Sequence, residues 1–156
     1  MRVFSAAVVL FILGMAYTSS LATEKTKQLQ YKFDPPAFSA DGLGTVFFHF
    51  LPVEDQFAAN INCMAQPYTD TLETYDKLTQ AQFKQMAVEI VSAEIGENVL
   101  TYEYHGKQQG RHLHWYAKAF KRGDLVYLVT ATGLHDKWGE HAKALVPAVD
   151  SFDLIN

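Results

Sequence analysis

The chain of 156 residues has a single cysteine, Cys63, and so cannot form an intramolecular disulfide. Its fold must rest on a core rather than on covalent staples. Basic residues are also scarce: 13 lysines and arginines stand against 17 aspartates and glutamates, a formal net charge of -4, and they form no block. That leaves no electrostatic footprint for nucleic acid or for an anionic membrane surface, and both are excluded as partners. The longest apolar run, Val3 to Tyr17, falls short of the roughly 20 residues that a helix needs to cross a bilayer. Missing as well are a Gly-x-Ser-x-Gly elbow, a glycine-rich phosphate loop and a His-Glu-x-x-His pair, and the carboxylates are too scattered to propose a glycosidase couple. The chain is therefore read as non-enzymatic, with no cofactor implied.

What is present is a globular composition, 49% hydrophobic and 13% aromatic. The run Val3 to Tyr17 follows Met1-Arg2 and precedes Ser20 and Ala22, small residues at the minus-three and minus-one positions of a cleavage site. This predicts a signal peptide over 1–22, a polar leader over 23–28 and one domain over 29–156, placing the mature protein in the periplasm or outside the cell. An uncleaved segment would instead anchor the same domain at the membrane. Cys63 lies in an alternating apolar run with no flanking base, the setting of a buried thiol rather than a reactive one.

Along the remainder, period-2 patterning predicts strands at Leu29–Phe33, Thr45–Leu51 and Phe57–Ala65, the first ended by Pro35-Pro36 and the others by Pro52 and Pro67. From Thr71 to Ala93 the apolar spacing changes to three and four, the pattern of an amphipathic helix. Thr79 with Gln82 resembles a capping box, which suggests a short turn and then a main helix from about Gln80. Strands at Val99–His105, Arg111–Phe120 and Leu125–Thr132 form a meander. A last helix carries Trp138, Ala142, Leu145, Val149 and Phe152 on one side, with Pro147 predicting a kink or a fresh first turn. The order βββαβββα makes an α+β domain, an antiparallel sheet flanked by two main helices.

Tyr102-Glu103-Tyr104, Gly110-Arg111, His114 to Ala119, Gly123 to Thr132 and Asp150 to Leu154 follow a recurring layout. It resembles the Mog1/PsbP-like superfamily, particularly exported bacterial members grouped with DcrB, over roughly Thr45 to Leu154. The resemblance implies an antiparallel sheet with flanking helices and a non-enzymatic accessory, assembly or binding role. The implied partner is an envelope protein or a small ligand. No functional residue is carried over, because no binding motif of the family matches a position here.

His112-Leu113-His114 is the most suggestive chemistry, since strand residues two apart share a face. If the hairpin loop spans Gly106 to Gln109, His105 pairs with Gly110, Glu103 with His112 and Thr101 with His114. Leu100, Tyr102, Tyr104, Leu113 and Trp115 then share the other face, a consistent apolar match. Glu103, His105, His112 and His114 form a strip of donors that zinc or copper accepts; the same residues also suit a solvated strand. His135 reads as a loop or cap residue, and His141 is out of helical register with it. His49 reads as a partly buried histidine between Phe48 and Phe50. Tyr102, Tyr104, Trp115, Tyr116 and Tyr127 read first as cross-strand core and secondly as a groove for a ligand or peptide.

Overall fold

The computed structural model describes residues 44–155. The expected signal peptide, leader and Leu29–Phe33 strand lie outside the described residues. The elements are β1 (Gly44–Phe50), β2 (Asn60–Pro67), α1 (Leu72–Gln85), β3 (Glu89–Ile95), β4 (Val99–Gln108), β5 (Arg111–Arg122), β6 (Leu125–Leu134), a 3-10 turn (His135–Lys137) and α2 (Trp138–Asp150). The six strands form one sheet in the order β1-β2-β6-β5-β4-β3, and every neighbouring pair is antiparallel. The α+β class and the two main helices are as the sequence predicts.

The stretch Thr71 to Ala93 is not one helical region. Thr71 caps α1, its hydroxyl accepting from the Thr74 N–H at 3.3 Å. Thr79, expected at a helix start, is instead buried in mid-helix and its hydroxyl donates to the Tyr75 carbonyl at 2.9 Å. The helix ends where the Val88 N–H reaches the Phe83 carbonyl (2.9 Å) and the Ala87 N–H reaches that of Lys84 (3.4 Å). This is a Schellman end with Ala87 at φ 53 in the left-handed place usually given to glycine. Beyond it the β-branched Ile90 and Val91 continue the apolar spacing by coincidence and extend as β3, an edge strand beside β4. Among the described residues the order is thus ββαββββα.

The hairpin between β4 and β5 also differs from expectation. Gly106 to Gln108 belong to β4, and the turn is only Gln109-Gly110, both at positive φ (48 and 79). Positive φ at both central residues is the type I′ pattern, whose twist matches that of the flanking strands. The register therefore slips by four residues from the expected one. His105 pairs with His114, Lys107 with His112 and Glu103 with Tyr116. Because the slip is even, every side chain keeps its predicted face.

α1 and α2 cover opposite faces of the sheet. Under α1, Phe83 meets Tyr104 (ring centroids 4.4 Å) and Tyr104 stacks on Trp115 (5.1 Å). The Tyr102 hydroxyl donates to Asp76 of the same helix. Under α2, Tyr116 donates to Asp150 at 2.9 Å and Lys118 pairs with Asp150 at 2.6 Å. Trp138, Leu145 and Val149 are buried, as the predicted apolar stripe requires. Pro147 neither ends nor restarts α2, which runs through it to Asp150. Cys63 has no exposure, and burial pushes its thiol up to about 11, so it is a packed hydrophobe.

Candidate metal centre

Two short turns set the corner of the sheet where the histidines meet. The Gln109-Gly110 turn brings His105 of β4 opposite His114 of β5. A second two-residue turn, Gly123-Asp124 with Gly123 at φ 56, pairs Arg122 with Leu125 and runs β5 and β6 together as far as Leu113 opposite Leu134. The next residue of β6's path is His135, which lands beside His112: their rings stack with centroids 4.0 Å apart. Two strands and the turn after β6 thus deliver four imidazoles to one corner on the α2 side.

They lie in two layers. In the outer layer, His105, His112 and His135 each offer a nitrogen within 4.8 Å of the others. His105 Nδ1 and His112 Nε2 are 3.1 Å apart, and the His105 and His135 rings are 4.4 Å apart. The His105–His112 spacing is that of a hydrogen bond between the two rings, and it is close to the about 3.3 Å that separates two nitrogens on one tetrahedral zinc at 2.0–2.1 Å. His112 is exposed and the other two are half-buried. Glu89 reaches toward His105 Nε2 at 3.8 Å.

The inner layer backs the outer one. His114, only 6% exposed, lies flat against Trp138 at the start of α2 (4.4 Å, 9°). Its Nε2 is 2.9 Å from Glu103 Oε1, and the Trp138 indole N–H donates to that same oxygen at 3.0 Å. On its other side, His114 Nδ1 is 3.2 Å from His135 Nδ1. Burial lowers the pKa of His114 despite the opposing Glu103 contact, and burial with the neighbouring His112 and His105 lowers that of His135. Both shifts favour the neutral imidazole, the form that binds a metal. An all-imidazole donor set suits zinc, copper or nickel rather than calcium or magnesium.

Gly133 makes this packing possible. A Cβ there would lie 2.7 Å from His141 Nδ1 and 3.1 Å from the Trp138 ring, so the bare backbone lets α2 close over His114.

The predicted strip of Glu103, His105, His112 and His114 is brought together, but not as one row of ligands. Glu103 faces Tyr116 in the sheet rather than His112, and with His114 it sits behind the outer layer. His135 lies in the turn before α2, as the loop or cap reading expects, and that turn adds it to the histidine cluster, a place not expected from the sequence. The signal for it was the Gly123-Asp124 dipeptide: read as a two-residue hairpin, it counts His135 opposite His112.

The five aromatics do not share a groove. Tyr102, Tyr104 and Trp115 lie buried on the α1 side, while Tyr116 and Tyr127 lie on the α2 side. The space against α1 lined by Tyr75, Phe83, Tyr102 and Tyr104 is about 10 Å³, room for one water at most. His49 is exposed on β1 and stands outside the cluster, beside Phe47 at 5.6 Å rather than enclosed between its neighbours. His141 is buried within α2.

No protein-family model and no curated protein matches the sequence. Among solved structures, a Pseudomonas aeruginosa protein of unknown function aligns with a TM-score of 0.66 at 13% identity, over 79% of this chain and 90% of its own. Cyanobacterial PsbP from Synechocystis aligns with a TM-score of 0.43 at 13% identity, over 76% of this chain and 95% of its own. At 0.66 the fold is shared; 13% identity carries nothing further. Among the described residues, no helix is long and apolar enough to cross a membrane.

Proposed function

We propose that this chain is an exported, non-catalytic accessory protein of the cell envelope that binds a divalent transition metal, zinc or copper, through His105, His112 and His135. The observation that carries the reading is the convergence of three imidazole nitrogens within 4.8 Å, supplied by β4, β5 and the turn after β6. Ordinary surface histidines have no reason to gather at one point from three segments, where neutral rings leave lone pairs facing a common centre and repelling one another. A cation between their lone pairs turns that repulsion into coordination. Export is supported by the N-terminal apolar run with Ser20 and Ala22, and the non-catalytic role by a sequence that offers no nucleophile motif.

Calorimetric titration of Zn²⁺ and Cu²⁺ into metal-stripped protein tests the reading. One-to-one binding is expected in the wild type and its loss in a His105→Ala/His112→Ala double variant; equal heats from the two proteins would discard the site. Cell fractionation with intact-mass measurement tests export, and a protein found in the cytoplasm with residues 1–22 in place would end that part.

A further inference from the structure

We infer that Glu103 and His114 are positioning residues that set the tautomer of His135 and so present its Nε2 to the metal. This rests on the metal-binding reading above and specifies how one of its ligands is held.

The argument is proton accounting. The Trp138 indole can only donate, so Glu103 Oε1, 3.0 Å from it, acts as an acceptor. The same oxygen lies 2.9 Å from His114 Nε2, and a carboxylate acceptor requires that nitrogen to carry a proton. A neutral imidazole has one N–H, so His114 Nδ1 is then a bare lone pair. Across 3.2 Å it faces His135 Nδ1, and two lone pairs at that distance would repel. The proton between them therefore belongs to His135 Nδ1. That leaves Nε2 as the open donor of His135, and the half-buried ring is held against His114 rather than free to flip.

Metal-bound histidines generally donate their second N–H to an acceptor that orients the ring. Here the acceptor is another histidine, itself oriented by a carboxylate and clamped by the parallel Trp138 ring (4.4 Å from His114). None of these three side chains needs to touch the metal.

The test uses isotope-labelled full-length protein, stripped of metal, at a pH of about 8, where unperturbed imidazoles are neutral. Long-range proton–nitrogen correlation spectra should show His114 protonated at Nε2 and His135 at Nδ1. In Glu103→Ala, His135 should lose that preference and zinc affinity should fall about 10- to 100-fold, while Glu103→Gln, which keeps a carbonyl oxygen in place, should recover part of the loss. Because the spectra are read on the wild type, a variant that fails to fold does not protect the inference. Zinc binding with His135 protonated at Nε2, or unchanged affinity in Glu103→Ala, overturns the relay and leaves the site standing. The stated tautomers in a protein that takes up no zinc overturn the metal reading, and with it the ligand role assigned here, while the hydrogen bonds remain.

Discussion

On β5, Trp115, Ala117 and Ala119 turn toward α1 and are almost fully buried, while His114, Tyr116 and Lys118 turn toward α2. One strand thus builds two unlike surfaces. The α1 side is closed by stacked aromatics around Phe83, Tyr104 and Trp115. At the α2 side's corner, nitrogens and a carboxylate face one another, and the outermost rings reach solvent. Both faces carry a buried apolar core, the α2 side through Cys63, Val129, Ala131, Leu145 and Val149; only the histidine corner of the α2 side gives up apolar packing for polar groups that reach solvent.

The largest effect should come from the α1 face. Phe83→Ala removes a ring that is 1% exposed and should cost about 3–5 kcal/mol, read as a lower urea midpoint, with zinc affinity of the folded protein unchanged. Next is Gly133→Ala, which sets a methyl against His141 and Trp138. It should cost about 1–3 kcal/mol and, unlike Phe83→Ala, weaken zinc binding as Trp138 is pushed off His114; tryptophan fluorescence would report the displacement. If Gly133→Ala lowered stability alone, zinc binding at the corner would not depend on Trp138 holding His114.

The pH dependence isolates the inner layer. Burial holds His114 below the ordinary imidazole value of 6.5. Below that pH the unfolded chain takes up a proton that the folded chain resists. Its contribution is therefore complete above 6.5 and is lost as pH falls from there toward the lowered folded value. Urea midpoints between pH 7 and 5 should fall more steeply in the wild type than in His114→Phe; parallel curves would clear His114 of this role.

Smaller effects complete the contrast. Ala87→Gly relieves a left-handed alanine and should stabilise the protein by about 0.5–1 kcal/mol, the strain released outweighing the added chain entropy. His112→Ala, on an exposed side chain, should change stability by no more than about 0.5 kcal/mol while abolishing zinc binding. A large loss of stability there would show the outer imidazoles to be structural.

Much of the sheet was legible in the sequence, and the reason is parity. Alternation assigned Tyr102, Tyr104 and Trp115 to one face and Glu103, His112 and His114 to the other, and the structure keeps each side. The same alternation could not choose between registers that differ by an even step. Pairing His105 with Gly110 and pairing it with His114 both match apolar to apolar. Helix limits failed for a related reason: Ile90 and Val91 continue a spacing of three and four, and the stop before them is an alanine in a glycine's conformation. His135 was missed because its place depends on counting from the Gly123-Asp124 turn, not on any neighbour in sequence.

The sequence by itself determined the α+β class, the apolar face of α2, the burial of Cys63 and the side of the sheet on which His105, His112 and His114 lie, since these follow from side-chain period and polarity. Only the tertiary structure decided that His105, His112 and His135 meet while Glu103 and His114 stand behind them. That outcome depends on the backbone of two turns: positive φ at Gln109, Gly110 and Gly123 makes both hairpins two residues long, and loop length sets which residues face each other across every strand pair that follows.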